Sequence, residues 1–241
     1  MFDAGRHHKA KIGFVLLATE QTIEDDMFTL CPEGVGVHFS RAWIEDRITV
    51  DSLLRHADAL SQAAKMLLPD GSLDVICYGC TSGSLVIGEE RVASELSKGA
   101  PNAKPTSLIA AVIAALRAVG AKRVAVATPY IDEINNQEKI YLERAGFEIP
   151  RIEGLRLEKD SDMIRVNPDY LAKFVASVDT PDSDTVFISC GALRSIDIVD
   201  RLEQQLGKPV ICSNQAMMWH VLRLAGVHDR RPGFGRLLRE C

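Results

Sequence analysis

Short apolar runs alternate with helix-length amphipathic segments along nearly the whole chain, and the plan is written twice. In the first half "KIGFVLLAT" (11–19), "GVGVHFSRAW" (34–43) and "DVICYG" (74–79) read as strands. Residues 51–68 carry Leu53, Leu54, Ala57, Leu60, Ala64 and Leu67 at helical spacing, and 84–97 and 105–121 read as further helices, the last capped by Thr106 or Ser107 and stopped by Gly120. In the second half "KRVAVATPY", "FEIPRIEGLRL", "DTVFISC" and "PVICSNQ" supply strands between helices at 131–146, 167–178, 195–207 and 216–226. Strands spaced by helices in this way bury themselves by lying parallel under covering helices, so the pattern restricts the chain to α/β architecture with parallel sheets.

The halves can be laid on one another. Thr19 and Thr128 end equivalent strands 109 positions apart, and Cys80 and Cys190 lie 110 apart. "TSLIAAVIAALRAVG" from Thr106 matches "CSNQAMMWHVLRLAG" from Cys212 at an offset of 106. A duplicated unit predicts one α/β lobe over 1–118 and a second over 119–214, with the C-terminal helical segment 215–241 packing back on the first.

Both cysteines of the equivalent pair follow short apolar strands, "VICYGCTSGS" (75–84) and "VFISCGALRS" (186–195). Carboxyl ends of parallel strands are where such sheets bind ligands, because the following helices aim backbone N–H groups there. A thiol at a helix N-terminus has its thiolate favoured by the dipole and by those donors, and can act as base, nucleophile or acid. A lone strand-end cysteine is ordinarily inert packing. Two at equivalent places are different, because a pseudo-twofold sets them on opposite walls of one cleft. Cys77-x-x-Cys80 does not read as a redox or zinc motif, since Cys77 lies inside a strand and no second ligand pair has suitable spacing.

Other chemistries are disfavoured by what the chain contains. A net charge of −5 without a basic stripe argues against nucleic acid; Arg230, Arg231, Arg236 and Arg239 read as a solvated helix end. No run approaches the roughly 18 apolar residues of a membrane span. The polar start "MFDAGRHHKAK" has no signal-peptide core, which places the chain in the cytoplasm with its six cysteines reduced, and His7–His8 read as part of a loose arm rather than a metal site. "GFVLLATEQT" holds neither a dinucleotide fingerprint nor a P-loop, and no strand-end lysine suggests a Schiff base. The expectation is chemistry without cofactor or metal.

"CTSGS", "ATPY" and the block "SCGALRSIDIVDRLEQQLGKPVICSNQAMMWHVLRLAG" resemble the aspartate/glutamate racemase superfamily, nearest its maleate cis–trans isomerases and arylmalonate decarboxylases. The resemblance spans roughly 11–228. It implies two pseudo-twofold-related Rossmann-like lobes, an active site in the cleft between them, a small carboxylate substrate and a homo-oligomer. Carried over, Cys80 and Cys190 resemble the two catalytic cysteines. The decarboxylases keep only the second, with glycine at the first, so retention of both points to an isomerase or racemase. Thr81, Ser82, Tyr130 and the Gly191 N–H resemble the carboxylate pocket. One departure stands out: the maleate isomerases tend to show "PSSN" after the first strand, where this chain has "LATEQT". Glu20 there would repel a dicarboxylate and could receive an ammonium, unless it merely caps a helix turn; a one-residue slip would bring in Thr19 or Gln21 instead. "ATEQTIEDD" looks more like the branch associated with ectoine utilisation. Racemisation, cis–trans isomerisation, decarboxylation and a non-catalytic carboxylate-binding module all remain open at this point.

Overall fold

The computed structural model describes all 241 residues. The first half runs β1 (Ala10–Leu17), α1 (Ile23–Leu30), β2 (Val35–Ala42), α2 (Val50–Lys65), β3 (Val75–Tyr78), α3 (Thr81–Ile87), α4 (Glu89–Gly99), β4 (Lys104–Ser107) and α5 (Leu108–Ala118). The second runs β5 (Arg123–Thr128), α6 (Asp132–Arg144), β6 (Glu148–Gly154), α7 (Asp160–Met163), α8 (Pro168–Val178), β7 (Thr185–Ile188), α9 (Ile196–Leu206), β8 (Val210–Cys212), α10 (Ser213–Leu224) and α11 (Gly235–Glu240).

Each half builds a four-stranded sheet, in the orders β2-β1-β3-β4 and β6-β5-β7-β8, with every pairing parallel. The orders are the same once the halves are laid on each other, as a duplication requires. All four residues of β3 and of β7 are buried, because helices cover both faces. One continuous cluster of buried apolar side chains runs through both halves. The C-terminal segment divides its packing, α10 lying along α5 and α11 against α9, α10 and β8.

Three elements differ from the sequence reading. The helix expected over 84–97 starts earlier, at Thr81, and breaks at Gly88, whose φ of +88° is left-handed backbone that suits glycine. Residues 104–107 form strand β4 rather than the start of a helix; "KPTS" is a poor strand former, but it is an edge strand, where Pro105 is tolerated. Ser107, one of the two expected caps, caps α5 by accepting the Ala110 N–H at 3.2 Å. The polar stretch after β6 carries the one-turn α7.

The order within each sheet places a site. β1 is paired on one side with β2 and on the other with β3, so the chain reverses direction between β1 and β3, and likewise between β5 and β7. Ligands bind beyond the carboxyl ends of strands at such reversals. The residues just past those four strands include Glu20, Cys80, Tyr130 and Cys190. No helix is long and apolar enough to cross a membrane.

Candidate active site

Cys80 and Cys190 line one narrow cavity together with Thr81, Ser82, Tyr130, Gly191 and Glu20. Cys80 is the N-cap of α3: its backbone is extended and its Sγ accepts the Gly83 N–H at 3.2 Å, with Ser82 Oγ 3.6 Å away. Cys190 is held differently. It lies five residues before the N-cap of α9, so the expectation of a cysteine at a helix N-terminus applies to Cys80 alone. The chain turns sharply at Cys190, at φ +100°, and Sγ takes the Ala192 N–H at 3.4 Å. That φ is costly for any residue with a Cβ, and such strain persists where surrounding structure enforces it. Here Ser213 Oγ accepts the Cys190 N–H at 3.0 Å.

Burial governs the protonation of both thiols. It pushes Cys80 up to about 11, against the Ser82, Gly83 and Tyr78 hydrogen bonds that pull the other way. It raises Cys190 well above the ordinary thiol range, with the Asp160 charge adding to it and Tyr130 and the Ala192 N–H opposing. The helix N-terminus at Cys80 therefore does not by itself yield a thiolate, as the sequence argument had it: desolvation of a sulfur anion outweighs donors of this number.

Neutral donors surround the cavity. No lysine, arginine or histidine lines it, so a substrate carboxylate has hydroxyls and backbone N–H groups to meet. Thr81 and Ser82 open α3, and the first N–H groups of a helix have no acceptor within it. Thr81 Oγ1 lies 3.1 Å from Ser213 Oγ, which ties this seat to the Cys190 turn. Tyr130 is buried and lines the cavity together with Cys190. Gly191 fits against α1: a Cβ there would come within 2.7 Å of Ile23 Cδ1 and 3.1 Å of Asn214 Oδ1.

Glu20 satisfies both readings of its sequence at once. Its Oε1 accepts the N–H groups of Gln21, Thr22 and Ile23 at 2.9, 2.6 and 3.0 Å, capping the turn into α1. The same side chain lines the cavity and is 5 % exposed. Burial, then the nearby Asp160 charge, lift it from 4.5 to about 7 despite those three donors. Thr19 stands outside the lining, and its hydroxyl donates to Asp160 Oδ2 at 2.6 Å. Gln21 is exposed.

Asp160 is the charged lining residue that the sequence did not disclose. It sits in α7, on a polar stretch with no pattern to single it out. Its backbone N–H donates to the Asp46 carbonyl at 3.0 Å, and Ser161 bonds the Asp46 carboxylate through N–H at 2.9 Å and hydroxyl at 2.7 Å. Ile48 N–H donates to the Glu158 carbonyl at 2.9 Å. Residues 46–48 of one half are thus clasped to 158–161 of the other, and Ile48, Asp160 and the nearby Met163 join Leu17, Gly79 and Ala192 in the rest of the lining.

Two buried thiols facing one donor-rich cavity between duplicated α/β halves define an enzyme of thiol acid–base or addition chemistry. The chain belongs to the arylmalonate decarboxylase family, whose model matches residues 44–238. It is 33% identical to the arylmalonate decarboxylase of Bordetella bronchiseptica over 196 residues, covering 79% of this chain and 78% of that one. It is 28% identical to the maleate isomerase of Nocardia farcinica over 240 residues, covering 95% and 96%. The fold superposes on the crystal structure of a maleate isomerase from Pseudomonas putida with a TM-score of 0.88 at 26% identity, covering 96% of this chain and 98% of that one. The family resemblance and the two-lobed parallel α/β fold read from the sequence both stand.

Proposed function

We propose that the protein is a cofactor-independent cis–trans isomerase of a small unsaturated carboxylate, with Cys80 adding to the double bond and Cys190 serving as acid and base. The observation that carries this is the presence of two thiols at equivalent strand ends in one cavity whose other donors suit a carboxylate. The maleate isomerase likeness over nearly the full chain supports it, as does a cysteine at position 80, where the decarboxylases hold glycine.

The cycle runs from one thiolate and one thiol, Cys80 having released its proton to solvent before it attacks. The Cys80 thiolate forms a C–S bond to one alkene carbon, and the displaced electron pair moves into the adjacent carboxylate as an enediolate. Thr81, Ser82 and Tyr130 hydroxyls and the N–H groups beside them stabilise that charge. The Cys190 thiol delivers its proton to the second carbon, leaving a thiolate. The former double bond is now single and rotates. Cys190 then takes the proton back and the electron pair expels Cys80 as thiolate, leaving the trans alkene. The reading carries with it lobes at 1–118 and 119–214 and a cytoplasmic homo-oligomer.

A second reading is favoured by Glu20 and Asp160. Two carboxylates in a cavity with no basic side chain suit a substrate that brings its own ammonium group, on which the same thiol pair would act as a racemase, one removing the α-proton and the other returning it to the opposite face.

Proton NMR of maleate incubated with the protein tests the first reading directly, through the appearance of fumarate. Cys80→Ala and Cys190→Ala should each abolish turnover while costing on the order of 1–2 kcal/mol of stability, since each removes one small buried group. Retained activity in Cys80→Ala would transfer the assignment to single-thiol decarboxylation, scored by CO2 release from an arylmalonate.

A further inference from the structure

In the proposed cycle Cys190 gives up its proton and stands as a thiolate until the proton returns, so the site must hold a negative sulfur there. Burial disfavours that anion, and the Ala192 N–H, which donates to Cys190 Sγ at 3.4 Å, works against the burial. What aims this N–H lies outside the cavity. The Gly191–Ala192 peptide is trans, as every peptide of the chain is, so its carbonyl points away from its N–H. That carbonyl accepts from Asn214 Nδ2 at 2.8 Å, and the same nitrogen donates to Asp26 Oδ2 at 2.7 Å. Asn214 stands in the first turn of α10 and Asp26 on α1, and both are buried.

The orientation of the Asn214 amide follows from chemistry. A carbonyl oxygen can only accept, and turning the amide over would set Oδ1 against the Gly191 carbonyl, oxygen to oxygen. Both Nδ2 hydrogens are thereby committed. Oδ1 is left buried without a partner, an arrangement that weakens a fold and that an apolar side chain of the same size would avoid. Neighbouring contacts complete the frame around the bend: Ser213 Oγ accepts the Cys190 N–H at 3.0 Å, and Thr22 Oγ1 donates to the Ala192 carbonyl at 2.9 Å. The N–H of Gly191, a lining residue, bonds nothing within the chain and is left for a substrate oxygen.

We propose that Asn214, braced by Asp26, is a positioning residue that turns the Gly191–Ala192 peptide so that its N–H receives the negative charge on Cys190. When Cys190 delivers its proton to carbon, the electron pair left on sulfur meets an N–H already aimed at it. When the proton returns, that charge is gone and the N–H faces a neutral thiol again. Only a proton moves, and Asn214 and Asp26 act through the peptide alone. Cys80 needs no such brace, because its donor is the Gly83 N–H inside α3, whose direction the helix sets. The duplicated site thus holds its two sulfur anions by different means, one by a helix and one by a side chain. Ser213 cannot separate the two, since it bonds Thr81 as well as Cys190. The Asn214 side chain bonds only Gly191 and Asp26, so a change there bears on one thiol.

The proposal rests on Cys190 being the acid and base of the cycle, but its test needs no substrate. Iodoacetamide labelling of the ligand-free protein, read peptide by peptide by mass spectrometry, reports each thiolate separately. Asn214→Ala and Asn214→Leu should each slow Cys190 by about ten- to a hundredfold, the weight of one hydrogen bond to a charged group, and leave Cys80 unchanged. Amide hydrogen exchange followed by NMR should quicken at Ala192 and not at Gly83, a distinction that a general loosening of the fold would not make. An unchanged Cys190 rate in both variants, or equal slowing of both cysteines, overturns the proposal. Wild type decides the matter even where the variants fold poorly: both Nδ2 hydrogens of Asn214 must be protected from exchange, and either one exchanging freely would overturn the proposal. Absent isomerase activity with the expected labelling would sink the proposed function and leave the role of Asn214 standing.

Discussion

Glu20→Gln should reshape the pH dependence of stability rather than simply weaken the fold. In the folded chain the carboxyl is lifted from its ordinary 4.5 to about 7, chiefly by burial. The folded state therefore holds this proton more tightly than the unfolded chain does. The stability that follows is fully present below about pH 4.5 and is lost as pH rises through 7. At about 1.4 kcal/mol per tenfold change in the proton equilibrium, the loss amounts to about 3 kcal/mol. Glutamine does not titrate, and its amide oxygen still accepts the N–H groups of Gln21, Thr22 and Ile23. Urea denaturation at pH 4.5 and pH 8.5 should then show the stability difference between variant and wild type moving by about 3 kcal/mol in the variant's favour. Glu138, also raised to about 7 by burial, titrates in both proteins and cancels in that difference; Asp26, raised by burial and in part by the Glu20 charge, is relieved in the variant and moves the difference the same way. Parallel pH curves for the two proteins would refute the reasoning, because Glu20 would then be an ordinary ionised residue in a solvated turn.

The same variant separates the two substrate readings. If the Glu20 carboxylate receives an ammonium group, Glu20→Gln should weaken turnover of ammonium-bearing carboxylates by about ten- to a hundredfold, the loss of one charge-assisted hydrogen bond, and improve any trace activity on maleate. Efficient maleate isomerisation by wild type, unaltered in the variant, would exclude that role. Gly83→Ala should lower stability by about 1–3 kcal/mol through overpacking against Tyr78, a cost that chemical denaturation measures directly; a variant as stable as wild type would show that Tyr78 can shift without loss.

How much was legible in the sequence depended on whether a local pattern existed to be read. Strands β3 and β7 stand out because each is apolar throughout and runs into a cysteine and small residues. β4 could not be read, because "KPTS" becomes a strand only by pairing with β3, Val75 opposite Lys104 through Tyr78 opposite Ser107. In α2 the spacing and phase were right, with Leu53, Ala57, Leu60 and Ala64 buried, but the stripe included one residue too many and missed another: Leu54 is 39 % exposed, while His56, three residues past Leu53, takes the buried face. A polar residue in an apolar stripe was the available signal for His56. Asp160 left none. It lies 80 residues from Cys80 and 30 from Cys190, in a polar stretch, and only the clasp to residues 46–48 brings it to the cavity. Glu20 was visible as a departure, but adjacency in sequence could not reveal that one carboxylate would do both jobs.

The left-handed backbone at Cys190 sets this chain's chemistry against its durability. Glycine is the residue that conformation would select if folding were the sole criterion, and every side chain placed there carries a conformational debt of about 1–3 kcal/mol. Selection for heat tolerance alone would drift toward glycine at position 190 and erase the thiol. Under the proposed mechanism a sulfur at such a bend is the trade this site makes: stability is given up at one residue so that a thiol can face the cavity.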